Sequence, residues 1–319
     1  MFREFDIVFG PVPSRRLGRS LGVNNIPAKT CSYSCVYCQV GRTTELTVER
    51  RKFYEPEKVW DEVRKRVSSL KGEKIDYITF VPDGEPTLDL CLGKEISLLK
   101  GALTPLAVIT NASLLWMEDV RADLLGADYV SLKIDTVNEK VWKIVNRPHP
   151  SLKLEKILEG VLEFSKGFRG KIVTETMLVN GIDYRVGFEE LGDYLRSFGR
   201  LDKVYVSVPT RPPTESWVKP PKEETVNLAF QTLSKKVGEG KVELLVGYEG
   251  NMFSFSDNVE RSLLSIMAVH PMRRDAVESF LNRTGSSWNL IERLLKEKRV
   301  RKLEYEGKEY YMINFSENS

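Results

Sequence analysis

Cysteine and histidine are scarce in this chain of 319 residues, which holds four of the first and two of the second. A disulfide framework needs more cysteines, spread more widely, so a stapled secreted scaffold is excluded. A usual zinc site needs four ligands, and the chain has just His149 and His270 to add to its cysteines. An excess of one charge is lacking too. The 48 basic and 45 acidic residues leave +3, which argues against a protein that coats polyanions along its whole length. No apolar run approaches the ~20 residues that cross a bilayer, and the opening MFREFDIVFG is too charged for a secretion signal. A cytoplasmic protein is expected. Core material is plentiful: 41% of the residues are hydrophobic, enough at this length for one large domain or two.

Three of the four cysteines, Cys31, Cys35 and Cys38, fall within eight residues. Three thiolates on one loop suit a cubane iron–sulfur cluster in which one iron keeps no protein ligand and stays open to a substrate or cofactor. A three-thiolate zinc site is the alternative. Cys91 could complete a ligand set, but it reads more simply as a buried small hydrophobe.

The run CSYSCVYC, with Tyr37 before the last cysteine, resembles the signature of the radical S-adenosylmethionine enzymes. The resemblance implies a [4Fe–4S] cluster on Cys31, Cys35 and Cys38 whose open iron chelates S-adenosylmethionine. Reductive cleavage then gives a 5′-deoxyadenosyl radical that abstracts hydrogen from a substrate. A low-potential donor such as ferredoxin or flavodoxin is implied as well, as is a partial (β/α)6 TIM-like barrel.

The chain after Cys38 alternates as such a barrel requires. Val59, Trp60, Val63, Val67 and Leu70 form a stripe at helical spacing within 56–70, and further helices are expected at 88–100, 117–125, 152–164, 187–198 and 222–237. Strands are expected at 20–26, 75–81, 106–110, 129–134, 171–179 and 204–208, which gives an α/β fold with a parallel sheet. In Tyr129–Asp135 the faces separate: Val130, Leu132 and Ile134 on one, Tyr129, Ser131, Lys133 and Asp135 on the other. The polar face reads as the lining of an occupied cavity, or alternatively as an open barrel edge facing solvent.

FVPDGEPT resembles the family's Gly-Gly-Glu-type segment, with Asp83 in place of the first glycine, so Asp83, Gly84, Glu85 and Pro86 are candidates to meet the methionine amino group of the cofactor. By position at strand ends, Thr110, Asn111, Ser131 and Lys133 are candidates for the ribose and the methionine carboxylate. Glu175 and Met177 are candidates to frame the adenosine. FGPVPSRRLGRSLGVNNIPAKT and VNRPHP resemble the branch that includes the wyosine-forming tRNA-modifying enzymes, over roughly residues 8–210. Those enzymes carry further cysteines for a second cluster; none precedes Cys31 here, so that chemistry does not carry over. Candidate substrate groups are Arg15, Arg16, Arg19 and Arg211, the arginines being suited to phosphate or carboxylate. Arg147 and His149 are candidate catalytic residues, the histidine as a proton donor.

A linker is expected at 248–258, dividing the chain into a barrel with an N-terminal extension (1–250) and a small domain (258–319). In the latter, helical stretches at 259–268, 272–282 and 287–298 precede a hairpin in VRKLEYEGKEYYMINF, a pattern that resembles a winged helix-turn-helix. Its third helix offers Asn289, Arg293 and Lys296, yet eleven basic and nine acidic residues in 260–319 give a weak electrostatic footprint for nucleic acid. RNA or a peptide is the substrate this domain could bring. A metal-cluster regulatory protein that binds nucleic acid through the winged helix is the alternative to an enzyme.

Overall fold

β-branched and aromatic strand segments alternate with one-sided helices, and the chain folds accordingly. The computed structural model describes residues 7–70, 72–100, 104–184, 187–247, 250–251, 253–254 and 258–314. β1 (Val8–Ser14) and β2 (Gly18–Val23) form an antiparallel hairpin, and the cysteine loop carries the short strands β3 (Thr30–Cys31) and β4 (Glu45–Leu46). Then follow α1 (Pro56–Ser69), β5 (Tyr77–Phe80), α2 (Leu92–Leu99), β6 (Leu106–Thr110), α3 (Glu118–Leu124) and β7 (Tyr129–Lys133). The rest of the sheet region is α4 (Glu139–Val145), α5 (Leu154–Gly167), β8 (Lys171–Met177), α6 (Gly187–Arg196), β9 (Lys203–Ser207), α7 (Glu223–Val237) and β10 (Val242–Leu245).

The main sheet runs β1-β2-β5-β6-β7-β8-β9-β10, and every pairing after the first hairpin is parallel. β1 and β10 end the order without pairing to each other, so the barrel is partial. The fold is the α/β, TIM-barrel-like one expected, with one more parallel strand than the six anticipated. β10 has only four residues, too few for its alternation to stand out. The segment 88–100 splits into a 3-10 turn, Pro86–Leu88, and α2. α4 had no counterpart among the expected helices. Only seven residues long, it is fixed by Asn138, whose side chain accepts from the backbone N–H groups of Lys140 and Val141.

The outward strand faces make the core. Val130, Leu132 and Ile134 pack with α-helical residues such as Ile157, Val161 and Phe164 of α5. Burying each such aliphatic side chain contributes roughly 1.5–3 kcal/mol. Gly160 is required there, because a Cβ would stand 2.3 Å from the Leu115 carbonyl oxygen. The inward face of β7 is enclosed rather than facing solvent: Tyr129 and Ser131 are buried. Tyr129, Ala107, Val173 and Tyr205 close one end of the barrel together with Leu17 from the β1–β2 turn.

The C-terminal region contains α8 (Val259–Val269), β11 (Met272–Arg273), α9 (Arg274–Thr284), α10 (Asn289–Lys296), β12 (Val300–Tyr305) and β13 (Lys308–Ile313). Its sheet is antiparallel in the order β11-β13-β12. The helix expected from 272 begins two residues later, since Met272 and Arg273 pair with Tyr311 and Tyr310. Of the linker expected at 248–258, residues 248–249, 252 and 255–257 lie outside the described residues, as do 1–6. Phe253 is buried in a separate apolar cluster with Leu263, Ile266, Met272 and Phe280, which Phe9 of β1 joins. No described helix is long and apolar enough to cross a membrane.

Candidate active site

The parallel strands end around a cavity of about 330 Å³, within the usual range for small-molecule sites. Cys31, Cys35 and Cys38 line it, with Tyr37, Asp83, Gly84, Glu85, Thr110, Asn111, Lys133, Glu175 and Met177. Sites in such barrels gather at this end of the strands. Each cysteine is free and partly exposed, yet set deep enough that burial pushes its thiol up, Cys35 to about 12. Bare thiolates are therefore not what the loop stabilises by itself; iron is the kind of partner that would keep them deprotonated. No three His, Cys, Asp or Glu side chains among the described residues converge to hold a single ion. A cubane does not require it, because each thiolate binds a different iron. Soft donors around a cavity of this size fit a cluster with a ligand beside it.

Glu85 organises the strand ends. Its Oε1 accepts from the Thr87 N–H at 3.1 Å, the Thr87 hydroxyl at 2.6 Å and the Thr110 hydroxyl at 2.6 Å. Its Oε2 accepts from the Asn111 N–H at 2.7 Å. A carboxylate offers about four acceptor positions, so Glu85 is largely committed to its own protein. Burial pushes its carboxyl up, and these donors work against that. Gly84 lies so close to the cysteine loop that a Cβ would stand 1.9 Å from the Thr30 carbonyl oxygen. Burial also pushes Asp83 up, to about 7, against the attraction of Lys29. Asn111 Nδ2 donates to the Ser32 hydroxyl at 2.9 Å and lies 3.5 Å from Cys31 Sγ.

Inside the barrel, Lys133 and Glu175 are register partners on β7 and β8, with Nζ 3.2 Å from Oε1. Arg16, from the β1–β2 turn, reaches in to pair with Glu175 and donates to the Ser131 hydroxyl at 3.2 Å. Although burial opposes it, Arg16 and Lys133 hold the Glu175 carboxyl well below the usual range. Tyr37 donates to Asp135, and Asn146 Nδ2 donates to the same carboxylate at 2.6 Å.

Not every expected residue arrives here. Ser131 is reached through Arg16, and Pro86 is buried at the start of the 3-10 turn, outside the lining. Arg19 points elsewhere, to Glu73 and Ser254. Arg147 pairs with Glu215 at 2.5 Å, and half-buried His149 with the Ser151 hydroxyl at 2.8 Å; neither lines the cavity. Cys91 is half-exposed at the start of α2, not buried, and also lies outside the lining. Sequence reasoning passed over Lys29, Tyr33 and Gln39, all of which line the cavity. Gln39, directly after the last cysteine, accepts from Arg211 and donates to the Val269 carbonyl at 3.1 Å, a tie to the C-terminal region that no local motif signals.

The sequence model of the Radical SAM superfamily matches residues 25–195, more than half of the chain. The UPF0026 protein of Methanocaldococcus jannaschii is 48% identical over 309 residues, which are 97% of this chain and 96% of that one. A probable GTP 3′,8-cyclase of Pyrococcus horikoshii is 26% identical over 59% of this chain and 55% of its own. Among solved structures, Streptococcus suis SuiB bound to precursor peptide SuiA superposes with a TM-score of 0.55 at 12% identity, over 84% of this chain and 64% of that one. A radical SAM methyltransferase from Sphaerobacter thermophilus gives 0.53 at 18% identity, over 71% and 66%. At these identities the structures speak for the fold alone. The chain belongs to the radical SAM superfamily, and is an enzyme whose cofactors are a [4Fe–4S] cluster and S-adenosylmethionine.

Proposed function

We propose that Cys31, Cys35 and Cys38 hold the cluster and that the strand ends beside them bind S-adenosylmethionine. When bound, the pair supplies a 5′-deoxyadenosyl radical that takes a hydrogen atom from a substrate. The observation that carries this reading is the meeting of three free thiols, the Glu85-braced turn and the polar inward strand face on one cavity. Asp83 and Gly84 face the methionine amino group, while Glu85 and Pro86 fix the turn that presents them. Thr110, Asn111 and Lys133 bind ribose and methionine carboxylate, with Ser131 positioning Arg16. Glu175, Met177 and Tyr37 frame the remainder.

Enzymes of this family need a reductant; ferredoxin or flavodoxin is the donor class proposed here. Of RNA, peptide and metabolite as substrate, the geometry favours a metabolite. We read the order helix–strand–helix–helix–hairpin in 258–314 as a winged helix, a domain apart from the barrel of 1–250. Its wing is occupied: Tyr305 and Tyr310 donate to the carbonyls of Pro209 and Thr210 at 3.3 and 2.9 Å. A wing docked on the barrel supports a part in the enzyme rather than the alternative of a free nucleic-acid reader. The Pyrococcus relative, named for a reaction of GTP, points to a small molecule too. Anaerobic reconstitution is expected to give a brown protein that, with dithionite, converts S-adenosylmethionine to 5′-deoxyadenosine. A colourless, zinc-loaded protein without that product would overturn the proposal.

A further inference from the structure

Beyond Arg16 the cofactor cavity adjoins a second chamber of about 150 Å³, and the two share Arg15, Arg16, Gln39 and Arg211 in their walls. The second chamber is built from distant parts of the chain. The β1–β2 turn gives Arg15 and Arg16, the loop after β9 gives Arg211, and the end of α8 gives Val269 and His270. Ser20 and Thr79, joined hydroxyl to hydroxyl at 2.7 Å, form its floor on the inner faces of β2 and β5.

The two chambers share their arginines and differ in their acids. Asp83, Glu85 and Glu175 line the first, beside Lys29 and Lys133. The described lining of the second holds three arginines and no carboxylate. Arg16 has Glu175 as its counter-charge. Arg15 rests on the carbonyl oxygens of Leu245 and Gly247, the latter at 2.9 Å, and makes no ion pair among the described residues. Burial disfavours its charge and Arg16 adds repulsion, partly relieved by Glu175. His270 responds to the same potential: burial, then Arg211 and Arg15, push it well below its ordinary value. A half-buried guanidinium held by carbonyl oxygens alone, as Arg15 is, gains from an anionic ligand that supplies the counter-charge.

We propose that this chamber binds the anionic group, phosphate or carboxylate, of a small-molecule substrate, with Arg15 and Arg211 as the residues that select it. The inference rests on reading the adjoining chamber as the cofactor site. It gives the C-terminal region a role as a substrate wall, since Val269 and His270 at the end of α8 line the chamber. Gln39 then ties that wall to the loop of the three cysteines.

The test uses the full-length protein, anaerobically reconstituted, and follows thermal unfolding during titration with sodium orthophosphate or sodium acetate at fixed ionic strength. One of the two anions is expected to raise the melting temperature of the parent protein; phosphate alone identifies a phosphorylated substrate, acetate alone a carboxylate. Arg15→Gln and Arg211→Gln are each expected to weaken that binding about tenfold or more, the loss of a charge-assisted contact. Arg64→Gln, on the far side of α1, is expected to leave it unchanged. Because Arg15 also braces β10, the readout is the ligand-induced increment rather than the starting stability, and Arg211→Lys provides a second variant expected to retain part of it. If neither anion stabilises the parent protein, or if both glutamine variants bind as it does, the proposal falls. Formation of 5′-deoxyadenosine is measured separately, so an active enzyme that ignores both anions refutes this chamber alone, and an anion-binding protein that yields no product refutes the cofactor reading.

Discussion

The proposed cofactor chamber and the chamber beside it share a wall, yet they are assembled differently. The first draws on short contiguous motifs, a cysteine loop and a turn after β5, braced by hydrogen bonds to a buried carboxylate. The second takes the run Val12–Leu17 of the first hairpin and joins to it side chains as distant as Arg211 and His270, with no carboxylate in its described lining. Chemistry shared across a family resides in the local motifs. Selection of a substrate is left to long-range packing, where a change in one loop alters the pocket without disturbing the cluster.

The strongest way to break that division is at the cysteines. Cys35→Ala is expected to abolish the brown chromophore and reduce iron content to background, with no 5′-deoxyadenosine formed. Arg211→Gln is expected to keep the iron. Iron analysis of the two variants side by side decides it: equal loss in both would mean that the chambers are one unit.

A second test strikes the brace. Glu85→Ala removes one carboxylate and leaves the N–H groups of Thr87 and Asn111 without their acceptor in a buried setting. The expected cost is about 2–4 kcal/mol of folding stability, from unsatisfied buried donors and a lost charge-assisted contact. Urea unfolding measures it, and a cost below the error of the method would show that the turn holds without its carboxylate.

The same contrast explains what could be read in the sequence. CSYSCVYC, the turn at Asp83–Pro86 and the split faces of β7 are legible because spacing and alternation are local properties, and the structure brings residues of all three to one cavity. Glu85 was legible as an acidic residue at a strand end, but not as a brace, since its donors Thr110 and Asn111 come from the next strand. Arg15, Arg16 and Arg19 looked alike in one loop. Only the fold separates Arg16, turned into the barrel, from Arg19, held outside by Glu73. His149, between two prolines, lies outside both cavity walls, whereas His270 reaches one through the packing of α8, a placement that no local pattern signals. Gln39 carried no signal at all: its importance lies in Arg211 and Val269, both more than 170 residues away.

The smallest effect expected lies behind the braced turn, where Glu95 of α2 is buried beside Asp89 and Asn25. Neither Glu95 oxygen has a hydrogen-bond partner within 3.5 Å. Burial, followed by the neighbouring Asp89 charge, pushes its carboxyl above the ordinary range, and burial does the same to Asp89. An unfolded glutamate releases its proton near pH ~4.3, and the folded one releases it higher. Between those two values the folded protein binds more protons, so stability falls as pH rises through that window. Glu95→Gln removes the titrating group while keeping its size. The variant is expected to match the parent near pH 5 and to exceed it by about 1–2 kcal/mol near pH 8, a pKa unit being worth about 1.4 kcal/mol. Urea midpoints at the two pH values give the comparison. A constant gap would mean that Glu95 stays ionised in the fold, and that the turn bearing Glu85 is backed by a charge rather than by a neutral acid.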